Sequence, residues 1–223
     1  MSSIASENFI KAIYKFENDE ASDTRPGSIA KELGITSAAA TDMARKLAQR
    51  KLINYQKYKA LSLTPEGQKL ATGIVRKHRL WETFLHKIFG MSMHEIHREA
   101  ELLEHLTSDF LAEQISLFLG NPKIDPHGDP IPDEEGLIAE EGTNLILSTA
   151  EEEKNYQISR LAGSDKEFFD FCHSNQLLVG ATLCVKKQYP KTRMTEIEVN
   201  KTKLLLNMEL TNTIYIKEFN NTK

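Results

Sequence analysis

His97, Glu101, Glu104 and His105 lie inside one run, Ser92 to Glu113, whose apolar spacing predicts a helix. At about 100° per residue, with His97 set to zero, Glu101 falls at about 40°, Glu104 at about −20° and His105 at about 80°. One stripe therefore presents two carboxylates and two imidazoles, while Ile96, Ala100, Leu103, Leu106 and Phe110 are expected on the opposite, core-facing side. A second predicted helix places His78 and Glu82 at i, i+4, again on one face. Carboxylate and imidazole donors converging from separate helices suit a divalent metal ion. Single Glu/His pairs are usually a helix's solvated side, but six such residues in two stripes are harder to read that way. His94-Glu95-Ile96-His97 lacks the H-E-x-x-H spacing of a zinc protease, and Ser92 with Glu95 fits a capping box instead.

Charge divides the chain into parts with different partners. From Thr36 to Lys59 there are six bases (Arg45, Lys46, Arg50, Lys51, Lys57, Lys59) against one acid, Asp42. From Ser92 to Glu113 there are six acids against one base, Arg98. The first segment suits phosphate and the second a cation. The whole chain, 223 residues with 40% hydrophobic content and net charge −4, can bury a core and is long enough for two or three small domains. No apolar run approaches the ~20 residues that span a bilayer, and the first residues lack a signal pattern, so a cytoplasmic location is expected. Cys172 and Cys184 have no C-x-x-C spacing and are expected to be reduced thiols. No nucleophile motif of a hydrolase is present, and an enzyme is not expected.

The elements that carry these residues follow from local pattern. Asn8 to Glu17 reads as a helix, capped by Ser6 or Asn8. Ser28 to Leu33 is a short helix closed by Gly34, and a second helix starts at Thr36 or Ser37 and runs to Arg50, which together make a helix-turn-helix. Ile53–Gln56 and Ala60–Thr64 form a β-wing with basic Lys57 and Lys59 at its tip. Thr64 as N-cap and Pro65 at the first position open a helix extending to Phe89. The small residues Ser37, Ala38, Ala39 and Ala40 allow close approach to the major groove and contact with thymine methyls, while Arg45, Lys46 and Arg50 hold phosphates with the wing lysines. Ser28, Thr36 and Asp42 complete the surface expected to face DNA. Apolar surface on the Ser92 helix and at Leu111, Ile115, Leu117, Phe118 and Leu119 exceeds what one small subdomain hides, so a symmetric dimer is expected. Gly120 to Gly136 is a Pro/Gly-rich linker in which His127 reads as a turn residue. Beyond it five short strands, 156–161, 181–185, 195–199, 203–206 and 213–216, with a helix over 166–175, suit a small closed barrel.

Three stretches carry a family resemblance: Arg76-Lys77-His78-Arg79-Leu80-Trp81-Glu82, Ile96 through Asp109, and Asp125-Pro126-His127-Gly128-Asp129-Pro130-Ile131-Pro132. Over almost its full length the chain resembles the diphtheria-toxin-repressor family of metal-dependent transcription regulators. The resemblance implies a mainly α protein with small β parts. Its N-terminal winged helix-turn-helix would span residues 1–73, its central helical metal-binding and dimerisation domain 74–140, and its C-terminal SH3-like β-barrel 141–223. It further implies a primary metal site at Asn8, Glu101, Glu104 and His105 and an ancillary site at His78, Glu82 and His97, to which Asp165, or Glu167, would add a C-terminal ligand. Iron-type members have Cys where Glu101 stands and manganese-type members have Glu, so Mn²⁺ is the expected ion, with Fe²⁺ the alternative and Zn²⁺ or Co²⁺ able to substitute. Asn8 stands where manganese-type members commonly have Asp, and Lys11 where two-domain manganese members have Glu. The implied protein is a homodimeric repressor of metal-uptake genes that binds a palindromic operator. The rival reading is a winged-helix regulator responding to a non-metal ligand. In the expected mechanism, Glu101 and Glu104 repel one another without metal and the first helix is loosely attached, until an ion joins Asn8 to the stripe.

Overall fold

The structure, a computed structural model, describes residues 3–19, 22–139, 144–163 and 165–219. Helix α1 (Ile4–Glu17) begins earlier than expected because Ser3, not Ser6 or Asn8, is the N-cap and accepts from Ser6 N. Helix α2 (Pro26–Glu32) takes Pro26 into its first turn, where a missing N–H costs nothing. Helix α3 (Ser37–Gln49) is capped by Thr36, whose hydroxyl accepts from Ala39 N at 3.1 Å. The wing strands β1 (Ile53–Asn54) and β2 (Ser62–Leu63) pair antiparallel and are shorter than expected. Helix α4 (Pro65–Phe89) opens as expected, with Thr64 Oγ1 accepting from Gly67 N at 3.1 Å.

The run from Ser92 to Glu113 is not one helix. It divides into α5 (Met93–Leu103) and α6 (Asp109–Phe118). Thr107 Oγ1 donates to Leu103 O at 2.7 Å and Ser108 Oγ accepts from Leu111 N at 3.1 Å, so one helix is closed and the next opened by adjacent hydroxyls. Leu106 and Phe110, expected in the core, are consequently 81% and 76% exposed. The capping box is present at the start of α5: Glu95 Oε2 accepts from Ser92 N at 2.9 Å, and Ser92 Oγ accepts from Glu95 N at 3.4 Å.

The C-terminal part has strands β3 (Leu145–Ile146), β4 (Lys154–Leu161), helix α7 (Lys166–Ser174), β5 (Thr182–Tyr189), β6 (Met194–Val199), β7 (Thr202–Asn207), helix α8 (Met208–Thr213) and β8 (Ile214–Glu218). They form an SH3-like antiparallel sheet in the order β3-β8-β4-β5-β6-β7. Register shifts at Ile158/Arg160 and Val185/Lys187 bend it. All five expected strands are present, while β3, with two residues, and α8, with six, are too short for periodicity to reveal.

By internal contacts the chain forms two compact units, one of Met1–Trp81, Glu99–Asn121 and Ile131–Ile138, the other of Glu82–Arg98, Pro122–Pro130 and Ala139–Lys223. Phe9, Ile10 and Ile13 of α1, Ile29 of α2, Leu47 of α3 and Val75 of α4 belong to the core of the first. Tyr156 and Ile158 of β4, Val185 of β5, Ile197 of β6 and Phe168, Phe169 and Cys172 of α7 belong to the core of the second. The boundary expected at residues 140/141 falls outside the described residues. Among the described residues no helix is long and apolar enough to cross a membrane.

Candidate metal centre and nucleic-acid interface

In the first unit, α1 carries Glu7, Asn8 and Lys11 at helical spacing toward the end of α5, where Glu104 and His105 occupy the turn opened by the helix break. Glu104 is 1% exposed, and both of its oxygens accept from Lys11. On one flank Lys11 Nζ donates to Glu101 Oε1 at 2.6 Å and to Glu104 Oε2 and Oε1 at 2.8 and 2.9 Å. His78 Nδ1 lies 2.6 Å from Glu104 Oε2 and 3.8 Å from Glu101 Oε1. His78 thus stands beside Glu104, a ligand of the expected primary site.

On the other flank His105 Nδ1 lies 2.6 Å from Glu7 Oε2. A carboxylate can only accept there, so Nδ1 carries a proton, and in the neutral imidazole the Nε2 lone pair then faces the site. That Nε2 is buried without a hydrogen-bond partner, 3.3 Å from Glu104 Oε1, and Asn8 Oδ1 is likewise buried and unpartnered. Buried acceptors left unsatisfied are costly, and His105 Nε2 beside Glu104, with Asn8 Oδ1 carried by the same helix as Glu7 and Lys11, offers a donor set that fits a divalent cation. A cavity of about 540 Å³ has Glu7, Glu104 and His105 among its lining residues. Glu7 is a residue that sequence reasoning missed. Helical spacing pointed to it no more than to its neighbours, and only the fold brings it to His105.

The expectation of mutually repelling carboxylates and a loose first helix is overturned. The Lys11 ammonium already neutralises part of the pair and ties α1 to Glu101 and Glu104.

The second unit holds another group. Glu82, 2% exposed, accepts at Oε1 from His97 Nδ1 at 3.0 Å, and His127 Nε2 stands 3.4 Å from the same oxygen without hydrogen-bond geometry. Burial disfavours a charged His127, but the adjoining Glu82 carboxylate, with Asp125 and Asp129, outweighs it and raises the imidazole pKa. The backbone of His127 is indeed in a turn, organised by Asp125 Oδ1 accepting from His127 N at 2.8 Å and Asp129 N at 2.9 Å. Its side chain is nonetheless 8% exposed at residue level, so the turn reading missed a candidate ligand. Leu161 N donates to His127 O at 2.8 Å, and a Cβ on Gly128 would meet Ser159 O at 2.0 Å, so β4 seats this turn tightly. Asp165, expected as a further ligand, caps α7 by accepting from Phe168 N at 2.8 Å.

Most of the residues expected to face DNA are accessible. Thr36, Ser37, Ala38, Ala39, Asp42, Arg45, Lys46 and Arg50 are exposed along α3, as are Lys57 and Lys59 on the wing. Tyr58 projects from the wing tip, 85% exposed, with Lys57 Nζ 4.8 Å from its ring centroid. Asp42 pairs with Lys46 at 2.7 Å, and Ser28 is half-buried and donates to Asp23.

Family profiles match along most of the chain: the iron dependent repressor N-terminal DNA binding domain at residues 1–61, the iron dependent repressor metal binding and dimerisation domain at 64–133, and the FeoA domain at 146–218. The cadmium-bound structure of ScaR is 30% identical, with a TM-score of 0.80 over 96% of this chain and 99% of that one. The chain belongs to the diphtheria-toxin-repressor family. A manganese-dependent transcriptional repressor in complex with manganese gives a TM-score of 0.87 at 27% identity, covering 96% of this chain and all, 100%, of the other. The diphtheria toxin repressor of Corynebacterium glutamicum is 31% identical over 126 residues, 56% of this chain and 55% of that protein. The match thus spans about half the length of such curated relatives.

Proposed function

We propose that this protein is a divalent-metal-dependent transcriptional repressor that binds a palindromic operator as a homodimer and controls metal-ion uptake genes, with Mn²⁺ as its physiological ion. The observation that carries the reading is the buried, unpartnered His105 Nε2 at 3.3 Å from Glu104 Oε1, with a second unpartnered buried atom, Asn8 Oδ1, on α1 of the same unit as the basic helix α3. Asn8, Glu104 and His105, with Glu101, would hold the primary ion, and Glu82, His97 and His127 a second one. The bound ion supplies the charge that draws these ligands together. Asn8 lies on α1, whose core residues pack in the same cluster as Ile29 and Leu47 of α2 and α3, so ligation at Asn8 fixes the winged helix through that core. An oxygen-rich donor set without Cys favours hard Mn²⁺, and manganese dependence in the structurally similar repressor points the same way. Large exposed side chains at Leu102, Leu106, Phe110 and Phe118 give a second copy an apolar surface to cover.

Fluorescence anisotropy of labelled operator candidates, titrated in parallel with Mn²⁺, Fe²⁺, Zn²⁺, Co²⁺ and EDTA, tests this. Mn²⁺ at low micromolar concentration should promote binding by a dimer, as sedimentation would show, and Glu104→Gln should abolish the response. Equal binding in EDTA would refute metal dependence, and a stronger response to Fe²⁺ would reassign the ion.

A further inference from the structure

Lys11 sits where a cation is wanted. Its side chain is 20% exposed, and its ammonium donates to three carboxylate oxygens, Glu101 Oε1 and both oxygens of Glu104, so all of its protons are used. The side chain of Glu104 is 0% exposed, so the two bonds to it are shielded from water, whereas Glu101 is 38% exposed. One turn along α1, Lys15 makes an ordinary surface pair, 70% exposed, with Glu32 at 2.8 Å. The difference is that Lys11 points into the very carboxylates that a divalent ion needs.

We propose that Lys11 is a tethered competitor for the ion: its ammonium occupies Glu101 and Glu104 until a divalent cation displaces it, and so sets the ion concentration at which the protein responds. The inference rests on the proposed metal site. An ion arriving at His105 Nε2 would meet Glu104 Oε1, 3.3 Å away, an oxygen that also accepts from the Lys11 ammonium at 2.9 Å, so it competes with that ammonium from the first contact. Recruiting Glu101 then requires the flexible lysine stem to swing out. Only the fraction of molecules with Lys11 displaced is fully competent, and apparent affinity is reduced by that fraction.

The test is Mn²⁺ titration calorimetry on the full-length wild type, Lys11→Met, Lys11→Gln and, as a charge control, Lys15→Met, with thermal melts in EDTA and in saturating Mn²⁺. Both Lys11 variants should bind Mn²⁺ roughly tenfold more tightly. They should also melt below wild type in EDTA yet gain more from Mn²⁺, while Lys15→Met stays within about twofold of wild-type affinity. Unchanged or weaker binding by whichever Lys11 variant folds would overturn the competitor role, and so would equal tightening by Lys15→Met. A wild type that takes up no Mn²⁺ would instead bring down the metal-site reading itself, and this inference with it.

Discussion

At the scale of single residues, the preparation of His105 is the most consequential detail. One nitrogen is spent on Glu7 at 2.6 Å so that the other keeps its lone pair for the site. Removing such an outer partner usually costs about 10- to 100-fold in metal affinity. Glu7→Gln should therefore weaken Mn²⁺ binding by that range in calorimetry while leaving the fold, read by circular dichroism, intact. The two cysteines make a separate test, because burial pushes the Cys172 thiol up to about 12 whereas Cys184 is half-buried. Alkylation by iodoacetamide at pH 8, followed by mass spectrometry, should modify Cys184 in the folded protein and reach Cys172 only in denaturant. Glu101, Glu104 and His105 were legible in the sequence because a helical period places them within one turn of each other. His127 was not, since Pro and Gly neighbours announce a turn but say nothing of whether its side chain points to water or to Glu82. Lys11 was legible as a departure from its relatives, but the fold was needed to show its ammonium between Glu101 and Glu104.

At the scale of elements, α4 shows two glycines with opposite duties. Gly67 lies against the wing, where an added Cβ would sit 1.9 Å from Leu52 O. Gly73 has nothing within 4 Å of that position. Gly67→Ala should destabilise the winged-helix part by about 1–3 kcal/mol through overpacking. Gly73→Ala should stabilise it by about 0.5–1 kcal/mol, because a helix interior favours Ala. Urea denaturation followed by far-UV circular dichroism should show the two midpoints moving in opposite directions. The order and type of the helices and strands were readable from period, caps and turn residues. The break between α5 and α6 was not, because Thr107 and Ser108 fit a helical run and interrupt this one only through bonds made by their hydroxyls. Trp81 Nε1 donating to Thr107 Oγ1 at 2.7 Å, a tertiary contact, helps hold that turn.

At the scale of the whole molecule, a chain of net charge −4 must rely on local charge to meet DNA. Binding should weaken steeply as KCl rises from 50 to 200 mM, and Arg45→Ala or Lys57→Ala, each present in both protomers of the dimer, should reduce the slope of log K against log[KCl] by about 1.8, about 0.9 per contact, with similar loss on different operator sequences. A slope unchanged in both variants, measured by anisotropy, would remove these residues from the phosphate contacts. The change from helical to alternating period announced a separate C-terminal sheet. The division into compact units was hidden, because α4 and α5 each contribute residues to both and a continuous helical pattern does not say where a rod leaves one core for another. The Lys11 latch has a wider consequence. With Lys11 bonded to Glu101 and Glu104, α1 is held to the end of α5 by charge as well as by its apolar core, and these two attachments should answer oppositely to added sulfate, which screens the first and strengthens the second.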